Sequence, residues 1–140
     1  MRILVLSNLY PPDFIGGYEL ACAQVVDALR ARGHEVQVLT ARPRTLVDDP
    51  SHVHRRFELA DEWQAAATRT HAVSFRIHET QSRLISAYNV YVLSEFLEEF
   101  LPDVVYVNNL VGLGGLGLIG CLQYLDAPWD GIWATAFRAS

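Results

Sequence analysis

The first nineteen residues, MRILVLSNLYPPDFIGGYE, restrict the fold more than any other stretch of the chain. Ile3-Leu4-Val5-Leu6 is apolar at consecutive positions, without the alternation of a half-exposed strand. Such a run suits a strand buried on both faces, as in a parallel sheet. Pro11 and Pro12 exclude helix directly after it, because proline lacks the N–H and pushes its predecessor toward extended backbone. Gly16-Gly17 then lead into an amphipathic stretch starting at about Tyr18. The order strand, loop, paired glycines, helix places Tyr10–Glu19 beyond the carboxyl end of a strand, where open parallel sheets bind ligands. Paired glycines let a backbone come close to a ligand, and the free N–H groups of a helix start favour a phosphate or carboxylate. The competing account is a turn whose glycines serve only an awkward backbone.

The same alternation continues downstream. Cys22, Val25, Val26 and Leu29 fall at i, i+3, i+4, i+7 and predict one apolar helix stripe over about 17–32, with Glu19, Gln24, Asp27 and Arg30 off it. Gly33 suits a left-handed helix end, and Val36, Val38 and Leu39 read as the second strand. Strand, helix and strand within forty residues make a βαβ unit. After the polar loop ARPRTLVDDP, Val53 to Leu59 alternates, with Val53, Arg55, Phe57 and Leu59 on one face and His54, Arg56 and Glu58 on the other. A loop or short helix is expected around Glu62–Thr68. From about His78 to Leu101 the pattern is helical, through Ile85, Tyr88, Val92, Leu93, Phe96, Leu97 and Phe100, and Pro102 stops it. Val104-Val105-Tyr106-Val107 is another buried strand. Asn108-Asn109 leave it toward a glycine-rich loop, and Leu118, Leu122 and Leu125 mark a further helix. The expected fold is α/β, a Rossmann-like doubly wound and mostly parallel sheet.

Composition excludes several function classes. With 140 residues, 51% of them hydrophobic and 19% charged, the chain has the make-up of one globular domain rather than a disordered segment. A formal charge of −5 argues against a nucleic-acid binder. Cys22 and Cys121 lack CxxC spacing and sit in apolar helical patterns, as buried thiols of a reducing compartment do. The opening apolar run is too short for a signal peptide, and no stretch reaches a membrane span. A cytoplasmic protein is expected, with contact at the inner face of the membrane left open.

Other motifs have plain explanations. Gly112-Leu113-Gly114-Gly115-Leu116-Gly117 formally matches GxGxxG, but it falls late after its strand and no acidic strand end follows about twenty residues on. Close packing of a helix is the simpler account. His52 and His54 have HxH spacing, which would put both on one strand face, but no third ligand is near and no metal is expected. Arg42, Arg44, Arg55 and Arg56 cluster, suiting a phosphate-bearing acceptor, an anionic membrane surface or, as the net negative charge favours, a solvated face. Glu95, Glu98 and Glu99 read as the wet side of a helix. No Ser/His/Asp or Cys/His triad is apparent.

The pieces together resemble the amino-terminal half of the family 4 glycosyltransferases. The motifs are Tyr10-Pro11-Pro12, Gly16-Gly17 and Glu19, then Arg32-Gly33-His34-Glu35-Val36 after the first helix. The stretch EFLPDVVYVNNLVGLG, ending at Gly114, and the Tyr88-Asn89 pair extend the resemblance to about Pro128. It implies a GT-B arrangement, in which two Rossmann-like domains face each other across a cleft. The implied activity is retaining transfer of a sugar from a nucleotide-diphosphate sugar to a sugar, lipid or small-molecule acceptor, with no cofactor beyond that co-substrate. By the same resemblance, Gly16, Gly17 and Glu19 form the loop that meets the donor phosphates. Tyr10, Asn108 and Asn109 are the candidate acceptor contacts. His34 stands in the GHE motif at the opposite edge, where a structural role is expected.

The resemblance also leaves gaps. By the resemblance, the family's donor-gripping residues are expected in a carboxyl-terminal domain outside these 140 residues. No histidine follows His78, so the family's cleft histidine cannot be carried over and the catalytic residues are unassigned. Asp130-Gly131 is poor chemistry for a central parallel strand. Residues 1–129 are therefore expected to form the acceptor-side domain, and 130–140 an atypical tail outside the native fold, as in a truncated chain. Truncation would expose apolar surface and favour self-association. Alone, the chain is expected to be inactive. A stand-alone, non-catalytic binding or scaffolding domain is the alternative.

Overall fold

The computed structural model describes residues 1–43, 47–60, 72–127 and 129–131. In chain order the elements are β1 (Arg2–Ser7), α1 (Gly17–Ala31), β2 (Glu35–Ala41), β3 (Val53–Phe57), α2 (Ala72–Phe100), β4 (Val104–Asn109), α3 (Gly115–Tyr124) and β5 (Trp129–Gly131). The strands pair in the order β3-β2-β1-β4-β5, all in parallel. This is the Rossmann-like α/β fold expected from the strand and helix alternation.

Each strand residue chooses a face by the period of two. Ile3 and Val5 of β1 join Val36, Val38 and Val53 under Cys22 and Val26 of α1. Leu4 and Leu6 join Leu39, Phe57, Val105 and Val107 under α2 and α3. β1 is thus buried on both sides, which is why its run of apolar residues shows no alternation. Gly33 closes α1 with φ +89°. His34 meets the terminal amine of Met1 at the amino-terminal edge (Nδ1 to N 3.2 Å), the structural place expected for it. Cys22 and Cys121 are buried, unpaired and on opposite faces of the sheet.

Several local expectations need correction. In α1 Val25 is exposed and Glu19 is 5% exposed, the reverse of the stripe read from sequence. The buried line of α2 runs through Asn89, Val92, Leu93, Phe96, Leu97 and Phe100, while Tyr88 faces outward. That helix begins at Ala72, six residues before the expected His78. β3 does not keep one alternation to its end. Thr40 pairs with Arg55 and Ala41 with Phe57, so Arg56 is an inserted residue. A bulge shifts the facing of the residues beyond it. Val53 packs on the α1 side, and Phe57 on the α2 side.

Trp129–Gly131 pairs with Val105–Val107 of β4. Asp130 and Gly131 thus lie in the sheet, at the described edge rather than at its centre. The short helix or loop expected at Glu62–Thr68, and the tail from residue 132 onward, fall outside the described residues. Among the described residues no helix is long and apolar enough to cross a membrane.

Candidate functional site

The strand order reverses at β1. The chain leaves β1 through α1 on one face, and it leaves β4 through α3 on the other. The two loops diverge at the carboxyl ends of neighbouring strands, at the topological switch point where open parallel sheets form their ligand crevice. Backbone and side-chain hydrogen bonds at the strand ends bind these loops together. The Asn8 amide donates to the Asn109 carbonyl at 2.8 Å, and Asn8 Nδ2 donates to the Val111 carbonyl at 3.0 Å. Asn108 Nδ2 donates to Ser7 Oγ at 3.2 Å, and Ser7 Oγ donates to the Leu9 carbonyl at 2.7 Å. A register shift accompanies these bonds, since Leu6 pairs with Val107 and Ser7 with Asn109.

On the α1 side, Gly16 and Gly17 are exposed. Gly16 has extended backbone, φ −152° and ψ −164°, which any residue can adopt. A Cβ placed on either glycine would meet nothing within 4 Å. Neither conformation nor packing therefore calls for glycine here. Glu19 Oε2 accepts the Gly16 N–H at 3.1 Å, one half of a capping box. Gly16 has no side chain to supply the other half. The first-turn amides of Gly17 and Tyr18 have no carbonyl one turn back to bond. They carry the positive end of the helix dipole to the rim of the crevice.

On the α3 side, glycine has a different reason. Gly112 and Gly114 have φ +80° and +75°, where L side chains are strained. A Cβ on Gly112 would lie 2.9 Å from Leu59 Cδ1, and one on Gly114 would lie 3.0 Å from Ser86 Cα. A Cβ on Gly117 would lie 2.9 Å from Ser86 Oγ. The formal GxGxxG thus packs α3 onto α2. Asn89 anchors the same turn. Fully buried, it donates to the carbonyls of Glu58 (2.8 Å) and Leu113 (3.0 Å) and accepts the Glu58 N–H (2.9 Å).

The charges near this edge are mostly paired. Arg42 meets Glu58 at 2.8 Å and Arg56 meets Glu95 at 2.7 Å. Arg55, with a side chain 5% exposed, bonds Asp49 through Nε and Nη2. Arg44 lies outside the described residues. The described part of the basic cluster is therefore paired with carboxylates and is not an open anion patch. His54 faces Phe96 of α2, with ring centroids 5.0 Å apart. His52 precedes β3, and burial together with Arg30 of α1 lowers its pKa. The two histidines do not share a strand face as their spacing suggested. Among the described residues no group of three His, Cys, Asp or Glu side chains could hold a metal ion. Burial, with Cys22 and Asp27 adding to it, pushes the Tyr10 hydroxyl up to about 12. Burial pushes the Cys22 thiol to about 12, and Glu19 reinforces it.

Comparison with known proteins decides the family. A family model described as a glycosyl transferase 4-like domain matches residues 16–134. The chain belongs to that family. A curated relative, an uncharacterized 42.6 kDa protein in the cps region of Klebsiella pneumoniae, is 27% identical over 120 residues. The match covers 81% of this chain and 31% of that protein, so the chain spans under a third of the relative's length.

Within this glycosyltransferase 4-like domain the residues singled out from sequence divide into two groups. Gly16 and Gly17 are exposed at the start of α1. Asn109 is half-buried at the end of β4, and its Oδ1 accepts the Val111 N–H at 3.0 Å. Glu19, Tyr10 and Asn108 are 5%, 6% and 4% exposed. Asn108 and Asn109 are the last residues of β4 rather than loop residues. Sequence reading missed Asn8, Arg55 and Asp49, which tie the loops to the sheet. Asn8 had a signal, since it is the first residue after an apolar strand and before the prolines. Arg55 had a misleading one, because it stands among other arginines.

Proposed function

We propose that this domain is the acceptor-side wall of a glycosyltransferase active site. The completed enzyme moves a sugar from a nucleotide-diphosphate sugar to an acceptor with retention of configuration. A carboxyl-terminal domain supplies the donor-binding wall. One observation carries this reading: at the switch point of a family 4-like domain, two exposed glycines are required neither by their backbone angles nor by packing. A closely approaching group outside this chain accounts for them. In sugar transfer the departing diphosphate gains negative charge. Fixed N–H donors stabilise that charge without reorganising. The Gly16 amide is engaged by Glu19, so the Gly17 and Tyr18 amides face the phosphate, and Glu19 holds the turn in shape. Asn109 Nδ2, at the opposite side of the crevice, suits an acceptor hydroxyl. Phe14, Ile15 and Tyr18, which are 53%, 72% and 65% exposed, flank the glycines and give the second domain an apolar rim on which to close. Closure brings donor and acceptor together and excludes water.

The test is release of nucleoside diphosphate from a panel of nucleotide-diphosphate sugars, with and without an acceptor. The 140-residue chain is expected to show no turnover, and the same chain joined to its carboxyl-terminal domain is expected to transfer. Turnover by the 140 residues alone would contradict the two-wall account. A joined protein inert toward every nucleotide sugar would contradict the transferase reading.

A further inference from the structure

The loop from Tyr10 to Gly16 has an uncommon anchoring problem. Pro11 and Pro12 carry no N–H, so their backbone can be held only through carbonyls. A donor must therefore come from elsewhere, and it comes from β3, two strands away. Arg55 Nη1 donates to the Tyr10 carbonyl at 3.2 Å, and Nη2 donates to the Pro11 carbonyl at 2.9 Å. The same guanidinium is gripped from its other edge by Asp49, with Nε to Oδ2 at 2.8 Å and Nη2 to Oδ1 at 3.0 Å. The Asp13 N–H donates to the Tyr10 carbonyl at 3.1 Å, closing the turn that Arg55 holds. That turn leads directly into Gly16 and Gly17.

We propose that Arg55, oriented by Asp49, is the positioning residue that sets the glycine loop at the crevice. The planar fork of a guanidinium is what the geometry requires. It places two N–H groups on a carboxylate and two on successive carbonyls at once, which the point charge of a lysine cannot do. The side chain is 5% exposed, so the ion pair is shielded from solvent, and its loss removes the guanidinium donor from the Pro11 carbonyl and the Asp49 carboxylate and leaves the Tyr10 carbonyl with the Asp13 N–H alone. The loop after β2, which carries Asp49, is thereby linked to the loop that precedes α1.

Amide hydrogen exchange of the 140-residue chain tests this. In Arg55→Ala and Arg55→Lys, the Asp13 and Gly16 amides are expected to exchange at least about tenfold faster. The Val38 and Val107 amides of the central strands are expected to keep their wild-type rates. Methylguanidine added to Arg55→Ala is expected to restore protection in the loop, a rescue that a general loss of packing would not show. Equal acceleration throughout the sheet, or unchanged loop rates, would overturn the proposal. If the Arg55 variants fail to fold, Asp49→Asn decides in the same way, with selective loosening of the loop expected and its absence contradicting the assignment.

The link from this role to catalysis rests on the transferase reading, and a second arm separates the two. Inorganic diphosphate is titrated while the Gly17 and Tyr18 amide resonances are followed. They are expected to shift in the wild type and to shift less in Arg55→Lys at equal concentration. Selective loosening without any diphosphate response in the wild type would support the positioning role while counting against the phosphate role of the loop.

Discussion

Two glycine-rich turns leave the same edge of one sheet, and they use glycine for opposite reasons. The turn into α3 needs its glycines for the fold: Gly112 and Gly114 have positive φ, and Ser86 and Leu59 fill the space a side chain would take. The turn into α1 does not, since Gly16 and Gly17 have open space around them and ordinary angles. The formal nucleotide-binding pattern is in the first of these and the plain Gly-Gly in the second. A glycine motif therefore points to a ligand only when the protein itself gives no reason for the missing Cβ. The anchoring differs as well. Asn89 on α2 holds the α3 turn from inside the core, whereas Arg55 on β3 holds the α1 turn from the sheet edge.

The largest effect that sharpens this contrast is expected at Asn89. Asn89→Leu keeps the branching and the number of side-chain heavy atoms but strands the Glu58 N–H and the Glu58 and Leu113 carbonyls. A loss of roughly 4 kcal/mol should appear in urea denaturation. Gly114→Ala should follow at about 3 kcal/mol, because it adds both positive-φ strain and a collision with Ser86. A well-folded Gly114→Ala protein of wild-type stability would break the comparison.

Alkaline pH should act on the other turn. Tyr10 packs in the cluster under α1 and Cys22 is on that helix's buried face, and each is raised to about 12 from ordinary values of 10.0 and 9.0. The fold favours their neutral forms, so the unfolded chain releases these protons first as pH rises. Their contribution is complete below pH 9 and is lost as pH climbs from 9 toward 12. Denaturation across that range should show a falling stability, with a shallower fall in Cys22→Ala. An identical slope in the variant would show that Cys22 does not contribute. The smallest stability change is expected for Gly17→Ala, within about 1 kcal/mol of wild type and toward greater stability, since alanine is the better helix former.

Much of this arrangement was legible in the sequence wherever one physical rule acted alone. The unbroken run Ile3–Leu6 read as a doubly buried strand because both faces are covered. Gly33 read as a helix end, and the late GxGxxG read as packing because its spacing from the strand was wrong for a fingerprint. The site was less legible because long-range partners decide it. Arg55 looked like one member of a basic cluster, and only the approach of the Pro11 carbonyl and Asp49 turns it inward. The extra residue at Arg56 sends Phe57 to the α2 side, which no count of alternating residues reveals. Glu19 looked like a residue off the apolar stripe, but its bond to the Gly16 N–H draws it into the helix start. Asn108 looked like a loop residue because asparagine favours turns, yet its amide reaches Ser7 inside the sheet.

The central claim is that Gly16 and Gly17 are glycine for a ligand and not for the fold. The most direct measurement is Gly17→Ala in the domain joined to the carboxyl-terminal domain proposed for it, with melting temperature and sugar transfer recorded on the same sample. The account predicts an unchanged or slightly raised melting temperature and transfer reduced by about tenfold or more. Full transfer at wild-type stability would contradict it, and so would a variant that loses activity only because it unfolds.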